Sequence, residues 1–389
     1  MKSLHASDTH LNFRAYSALI EGRNAREVDV ERAWQRLVDI SVEERPDLVA
    51  LAGDIFHHPR PGFRAVKAYR DGIRRIIEDT RARVIILQGN HDAVKTADAL
   101  SPIWIPDDYD RVYIITEPQR VRMETAEGEK ISVACFPFVG LGEPQTYRLR
   151  PEEDADINIL LMHAAVKSSE AEGALPFFYQ GPHALDVGRE AERWDIIALG
   201  DYHEFTPLHP FRPVFYSGSI ERTSSNIWVE HEPKGVVVCE TGSEPDMMTV
   251  YRFREIETRP MQDYDLGDFD LPPGASAEEV NGALREALTY DTTKDAIVRL
   301  KVDSFPRGQR DEIDWTLVRE LKAHCLHFQL NLRFAEGAAV ELGDRRERGA
   351  KTLVQEAQEF FAEDENEVRE CALRYLTAGD PEAEEEVSA

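Results

Sequence analysis

Residues 48–58 of the chain read Leu-Val-Ala-Leu-Ala-Gly-Asp-Ile-Phe-His-His. The apolar run 48–52 predicts a buried β-strand, because a short apolar run that ends at a glycine is typical of a strand inside an α/β domain. Gly53 lets the backbone turn sharply, and Asp54 then places a carboxylate at the end of the strand. A lone Gly-Asp pair more often forms a turn than a metal site. Whether Asp54 is a ligand therefore depends on the residues at the ends of the other predicted strands.

Four further apolar runs end in polar side chains of the same kinds. In open α/β sheets, ligands bind outside the carboxyl ends of the strands, so we expect these ends to converge. Carboxylate, imidazole and amide oxygen suit manganese, iron or zinc rather than calcium. A single histidine is more often a core residue, but the joint pattern predicts a site for two divalent ions. The strand ends are Asp8 and His10 after residues 3–7, Gly89-Asn90-His91-Asp92 after 84–87, His163 after 157–162, and Gly200-Asp201-Tyr202-His203 after 194–199.

The order of the elements predicts an α/β fold. Up to residue 205, apolar runs alternate with segments of helical periodicity, at residues 30–43 and 63–79, and a further strand is expected at 131–136. After residue 205 the pattern changes, and residues 214–216, 235–240 and 248–253 are expected to form a mostly antiparallel sheet.

A second unit is expected after a boundary near residues 255–263, where Arg259-Pro260 interrupts the pattern. This smaller α/β unit, 264–345, has candidate helices at 277–289 and 314–324 and candidate strands at 297–302 and 329–334. Two amphipathic helices, 347–361 and 365–375, then precede the acidic segment 380–389. Their apolar faces pack either on the protein itself or on a partner.

The composition restricts the possible functions. The chain has 389 residues, 42% of them hydrophobic and 31% charged, and no apolar run of 18 residues, which favours a cytoplasmic protein without membrane spans. Its formal net charge of −27 argues against nucleic-acid binding through a basic surface. Binding of nucleic acid therefore requires bound cations or a partner that supplies the positive charge.

The polar residues at the five strand ends resemble the site motifs of the calcineurin-like metallophosphoesterase superfamily. Within this superfamily, the chain resembles the SbcD/Mre-type DNA repair nucleases. The resemblance implies a four-layer β-sandwich flanked by helices, with a smaller α/β capping domain and C-terminal helices. The stretches that carry the closer resemblance are Gly53-Asp54-Ile55-Phe56-His57 with Arg60-Pro61, residues 195–200, residues 216–222 and Thr258-Arg259-Pro260.

The resemblance also implies a role for each site residue. The first ion would take Asp8, His10, Asp54 and His203, and the second would take Asp54, Asn90, His163 and Asp201, with Asp54 bridging. His91 would assist the leaving oxygen, Asp92 would orient His91, and His57 would help to place the DNA phosphate. The neighbouring His58 is expected to be merely exposed.

One position departs from the family pattern. The superfamily usually has Gly-His-x-His where this chain has Gly200-Asp201-Tyr202-His203. The extra carboxylate lowers the positive charge of the centre, and oxygen in place of nitrogen favours manganese or magnesium over zinc. We therefore expect manganese-dependent activity, and the alternative is a weakened or metal-poor site.

The resemblance implies a nuclease that acts in DNA end processing and double-strand break repair. The expected activities are a 3′→5′ exonuclease and a single-strand endonuclease, with an SbcC-type ABC ATPase and a homodimer as possible assemblies. The alternatives are another calcineurin-like phosphodiesterase or phosphatase, and a non-catalytic scaffold. The implied units are the nuclease domain 1–257, the capping domain 258–345, the ATPase-docking segment 346–376 and the acidic tail 377–389.

Overall fold

Two six-stranded β-sheets form the body of the protein in the computed structural model, which describes residues 1–94, 100–104, 110–138, 150–169, 175, 185–241 and 249–335. In chain order the strands are β1 (Lys2–Ala6), β2 (Leu19–Ile20), β3 (Arg23–Asn24), β4 (Leu48–Leu51), β5 (Arg83–Leu87), β6 (Val112–Ile115), β7 (Gln119–Glu124), β8 (Lys130–Phe136), β9 (Ile157–His163), β10 (Ile196–Gly200), β11 (Thr206–Pro207), β12 (Val214–Tyr216), β13 (Gly235–Glu240), β14 (Val250–Glu255), β15 (Met261–Tyr264), β16 (Ile297–Phe305) and β17 (His327–Phe334).

The first sheet has the strand order β14-β13-β1-β4-β5-β6. Strands β1, β4, β5 and β6 run parallel to one another. Strand β13 pairs antiparallel with both of its neighbours, β1 and β14. Every residue of β4 is buried, as expected for a parallel strand that is covered on both faces. The parallel direction brings the carboxyl ends of β1, β4 and β5 to one edge of the sheet.

The second sheet has the order β11-β12-β10-β9-β8-β7, and its central strands β12, β10, β9 and β8 are parallel. The prediction that residues 214–216 join 235–240 and 248–253 in one mostly antiparallel sheet was therefore wrong. β12 pairs in parallel with β10, with Ile197 opposite Val214, while β13 and β14 belong to the first sheet. A three-residue apolar run carries no information about its distant pairing partner, which tertiary packing decides.

The body has a layered architecture of two stacked sheets. Side chains alternate along each strand, so that Leu48 and Ala50 of β4 pack between the two sheets, while Val49 and Leu51 face the helices. In β9, Leu161 also points between the sheets, and Leu160 points to the outer core of the second sheet. Three apolar layers thus alternate with the two sheets, as the resemblance implied.

Two long helices cover the outer face of the first sheet. The helices of the described chain are α1 (Ala25–Glu44), α2 (Phe63–Asp79), α3 (Val187–Glu190), α4 (Ala277–Ala287) and α5 (Trp315–His324). Helix α1 begins five residues before the predicted start, because the Asn24 side chain accepts a hydrogen bond from the Glu27 backbone N–H and caps the first turn. The Trp34 indole N–H donates to the Ala68 carbonyl oxygen at 2.9 Å and fixes α1 against α2.

The residues after Arg259 have a hydrophobic core of their own. The parallel three-stranded sheet β15-β16-β17 packs against α4 and α5 around side chains such as Leu284, Val298 and Leu321. Strand β15 was not predicted from the sequence. The domain boundaries stay predictions, and the predicted docking segment 346–376 and acidic tail 377–389 lie outside the described residues. Among the described helices, none has the length and apolar character needed to cross a membrane.

A buried charge network joins this second unit to the body. Arg26 of α1 is fully buried and donates to Asp29 at 2.9 Å and to Glu221 at 3.2 Å. Arg259, at the start of the second unit, donates to both carboxylate oxygens of Asp29, at 2.7 and 2.5 Å. Asp29 is therefore the shared acceptor of two guanidinium groups, and its loss would leave a buried cation without half of its counter-charge.

We predict that Asp29→Asn lowers the free energy of unfolding by about 3 kcal/mol, as expected when one partner of a buried ion pair is removed. Urea denaturation measures the change. Asp39→Asn on the same helix is the matched control, because the Asp39 and Arg75 side chains are 40% and 44% exposed and their ion pair contributes less than about 1 kcal/mol. Equal effects of the two substitutions would show that the buried network does not stabilise the fold.

Candidate metal centre

Hydrogen bonds donated by backbone N–H groups hold the carboxyl ends of the two sheets together at one place. The Asp8 N–H donates to the Gly53 carbonyl oxygen and the His10 N–H donates to the Asp54 carbonyl oxygen, both at 3.0 Å. The Asp201 N–H, at the end of the second sheet, donates to the Asp8 carboxylate at 3.1 Å. The predicted residues thus converge, although on the seam between two sheets rather than along one.

Four of the predicted ligands have a left-handed backbone. The φ angles are 51° at Asp8, 44° at His10, 51° at Asp54 and 102° at Asp201. Non-glycine residues adopt this region at a cost, which Asp, Asn and His bear more readily than other residue types. The surrounding hydrogen bonds hold these residues in place, and the result is that their side chains turn from the strand ends towards each other.

Glycines before the ligands allow this close approach. A Cβ atom on Gly89 would lie 2.0 Å from Asp54 Oδ1, and one on Gly53 would lie 2.3 Å from His163 Nδ1. Gly53 also has a φ of +90°, whereas Gly89 is needed for space alone. The predicted sharp turn is therefore correct for Gly53, while at Gly89 the constraint is the neighbouring carboxylate.

The ligand atoms lie close enough to share cations. The candidate ligand atoms of Asp8, His10 and His203 all lie within 4.8 Å of one another, and so do those of Asp8, Asp54 and His163. The Nε2 atoms of His10 and His203 are 3.1 Å apart. Two imidazole nitrogens at this distance, beside two buried carboxylates, form a donor set that fits a transition-metal ion.

Asp54 lies between the two sets of ligands. Its Oδ2 is 3.8 Å from His10 Nε2, and its Oδ1 is 3.6 Å from His163 Nε2. His163 Nε2 is also 2.9 Å from Asn90 Oδ1 and 3.8 Å from Asp201 Oδ1. The structure therefore brings together all seven residues that the sequence singled out, with Asp54 in the central position.

The buried carboxylates of the centre favour a bound cation. Asp8 and Asp54 are buried, and within the described residues their recorded ion pairs are with histidines only. Burial and the nearby Asp8 and Asp92 charges raise the pKa of Asp54 to about 7. Although burial opposes it, the Asp54, Asp8 and Asp201 carboxylates raise the pKa of His163 to about 9. Carboxylates arranged in this way are stabilised by bound divalent ions.

The His163 ring is oriented by the backbone. Its Nδ1 lies 2.7 Å from the Ala52 carbonyl oxygen, so Nδ1–H donates and Nε2 faces Asn90 and Asp54. Such a hydrogen bond fixes the tautomer in which Nε2 can bind a metal ion. The surroundings of the His163 ring therefore fit a role of Nε2 as a metal ligand.

His57 and His91 form the partly exposed side of the centre, next to the buried His10. Candidate ligand atoms of His10, His57 and His91 lie within 4.8 Å of one another. The His91 Nδ1–H donates to the His57 carbonyl oxygen at 2.7 Å, which leaves Nε2 4.0 Å from Asp54 Oδ2. The His91 side chain is 39% exposed, so a substrate can reach it. His58 is exposed, as predicted.

Asp92 is fully buried and holds the loops that carry the ligands. Its carboxylate accepts hydrogen bonds from the backbone N–H groups of Ile55 at 3.1 Å, Phe56 at 2.9 Å and Gly89 at 3.0 Å. The His91 ring is instead held by the His57 carbonyl oxygen. A direct role of Asp92 in orienting His91 stays a prediction.

Sequence reasoning missed two residues behind His203. Glu230 and Lys234 are 2% and 1% exposed, and their charged groups are 2.5 Å apart. Glu230 Oε1 lies 3.7 Å from His203 Nδ1, and Lys234 Nζ donates to the His203 carbonyl oxygen at 2.7 Å. Both residues lie between β12 and β13 without periodicity or a strand end, so no local signal in the sequence indicates them.

The chain is similar in sequence to known proteins over much of its length. The model of the calcineurin-like phosphoesterase family matches residues 1–205. The DNA double-strand break repair protein Mre11 of Sulfolobus acidocaldarius is 28% identical over 204 residues, which are 52% of this chain and 50% of that protein. The protein of the same name from Haloferax volcanii is 26% identical over 319 residues, 80% of this chain and 62% of that one.

The chain spans about half the length of the first curated relatives it matches. Among solved structures, the crystal structure of TT1561 of Thermus thermophilus covers 56% of this chain and 89% of that one, with a TM-score of 0.33 and 14% sequence identity. That likeness is too low to carry an argument.

We predict that Gly89→Ala abolishes tight binding of manganese, because the added methyl group would displace the Asp54 carboxylate. Isothermal titration calorimetry on the full chain measures the affinity. Gly282→Ala in α4 is the control, because its Cβ has no heavy atom within 4 Å and alanine is the better helix former by roughly 1 kcal/mol. Unchanged manganese binding in Gly89→Ala would contradict the assigned site.

Proposed function

Because the chain belongs to the calcineurin-like phosphoesterase family, we propose that it is a DNA nuclease that uses two divalent metal ions. The convergence of Asp8, Asp54 and His163 with the other four ligand candidates is the observation that carries the two-ion site. The substrate rests on the relatives named DNA double-strand break repair proteins and on the subfamily stretches of the sequence. The cytoplasmic location stays a prediction.

The proposed ligand sets are those that the family resemblance implies, and the distances are compatible with them. One ion would be held by Asp8, His10 and His203, with Asp54 shared between the two ions. The other would be held by Asp54 together with the set Asn90, His163 and Asp201. The position of Asp54 between His10 Nε2 and His163 Nε2 supports the bridging role.

When bound, two such ions supply Lewis-acid stabilisation of the phosphate and lower the pKa of a water that attacks phosphorus. The remaining chemistry belongs to the side chains of the chain. His91 presents Nε2 to the site, because Nδ1–H is committed to the His57 carbonyl oxygen. A protonated His91 donates to the leaving oxygen, and His57 stacks beside it with ring centroids 5.4 Å apart, where it helps to place the phosphate.

Manganese is the proposed ion because of Asp201. Its carboxylate is 27% exposed and lies 3.8 Å from His163 Nε2, within the group of ligands. Three carboxylates therefore face the ions where the family pattern has two, and carboxylate ligands favour manganese or magnesium over zinc. A catalytically weakened centre is the competing outcome of this same substitution.

The wider role is proposed from the resemblance. It comprises a 3′→5′ exonuclease and a single-strand endonuclease in the repair of double-strand breaks. The unit 258–345 would help to hold DNA, and the segment 346–376 would dock on an SbcC-type ATPase, with a homodimer as a further assembly. Such a partner would supply positive charge that this chain, at −27, lacks. Arg60 and Arg64, which follow His58 in the sequence, are exposed and available to a phosphate backbone.

We predict that His91→Ala lowers the rate of manganese-dependent cleavage of end-labelled single-stranded and hairpin DNA by roughly 10²- to 10⁴-fold, while manganese still binds. His58→Ala is the control, because this exposed neighbour is expected to leave the rate within twofold. Cyclic nucleotides and phosphopeptides are assayed in parallel. Preferential hydrolysis of either would replace DNA as the substrate, and equal cleavage by wild type and His91→Ala would exclude this centre.

We also predict that Asp201→His raises the ratio of zinc-supported to manganese-supported cleavage by roughly tenfold, because imidazole replaces a carboxylate oxygen. Initial rates in metal-stripped protein reconstituted with each ion measure this ratio. Strong activity of the wild type with zinc and negligible activity with manganese would refute the proposed metal preference.

A further inference from the structure

We propose that Glu230 is a positioning residue that orients the His203 imidazole for metal binding. The inference rests on the proposed metal centre but not on the identity of the substrate. Metal-binding histidines need a partner for the ring nitrogen that does not face the ion, and carboxylates commonly supply it. His203 uses Nε2 towards His10 and Asp8, which leaves Nδ1 for such a partner.

The surroundings of His203 Nδ1 point to Glu230. This nitrogen is buried and has no hydrogen-bond partner within the described part of the chain. The carboxylate oxygen Oε1 of Glu230 faces it at 3.7 Å. Glu230 is therefore placed to accept from Nδ1–H, so that Nε2 keeps its lone pair for the ion. A carboxylate in this position also makes the imidazole a stronger ligand.

Lys234 holds the Glu230 carboxylate in place. Its ammonium group contacts Glu230 Oε2 at 2.5 Å and donates to the His203 carbonyl oxygen at 2.7 Å. The Ser224 N–H donates to Glu230 Oε1 at 2.8 Å. These contacts fix the carboxylate relative to both the backbone and the ring of His203, which is the rigidity that a positioning residue needs.

A purely structural role is the competing explanation, because a buried Glu–Lys pair stabilises or destabilises a loop without any effect on a metal ion. The two explanations differ in one measurable quantity. A structural pair changes the stability of the protein, whereas a positioning residue also changes the affinity of one metal site.

The test is calorimetric titration of the metal-stripped full chain with Mn²⁺, in wild type and in Glu230→Gln. We expect wild type to bind two ions, and Glu230→Gln to bind one of them roughly 10- to 100-fold more weakly. The double variant Glu230→Gln/Lys234→Met removes the unpaired cation as well, and it is expected to show the same selective loss of affinity.

Glu221→Gln is the matched control, because Glu221 is equally buried and pairs with Arg26 rather than with a candidate ligand. It should lower the melting temperature and leave both manganese affinities within threefold of wild type. Affinities within threefold of wild type in both Glu230 variants would overturn the inference. A wild type that binds no manganese would overturn it together with the metal centre, whereas two bound ions without DNA cleavage would overturn only the proposed substrate.

Discussion

The structure of the centre depends on buried carboxylates whose ion pairs, within the described residues, are with histidines and not with Lys or Arg. Asp8 is fully buried and Asp54 is 2% exposed, and within the described residues only histidines form ion pairs with them. Burying such charges is costly unless an opposite charge compensates them. The left-handed backbone at Asp8 and Asp54 adds a further cost. Bound divalent ions would offset both costs and would thereby couple metal binding to the stability of the fold.

The seam between the two sheets explains why the ligands are spread over the chain. Parallel strands of the first sheet contribute Asp8 and Asp54, and the second sheet contributes His163 and Asp201. The bond from the Asp201 N–H to the Asp8 carboxylate ties the two edges together. Each proposed ligand set takes residues from both sheets, so a shift of one sheet relative to the other would split both sets. The packing between the sheets is therefore a determinant of the geometry of the centre.

One segment connects the centre with the second unit. The short 3-10 turn Ile227–Val229 lies directly before Glu230, which faces His203. Within this turn, the Trp228 ring packs against the Arg299 guanidinium at 4.4 Å, and Arg299 belongs to β16. The buried network of Arg26 and its acidic partners fixes the same junction. Contacts of the second unit therefore extend to the turn that precedes Glu230, the residue that faces the candidate ligand His203.

The sequence by itself determined the strands that end at the centre, β1, β4, β5, β9 and β10, together with the ligand candidates, because an apolar run that ends in a polar residue is a local pattern. It also predicted α2 and the apolar faces of α1, whereas the cap at Asn24 that starts α1 earlier depends on a single side-chain contact. Tertiary structure alone decided that β12 joins the second sheet and that Glu230 faces His203. Both depend on residues distant in sequence coming together, and neither strand pairing nor a buried ion pair leaves a periodic trace in the chain.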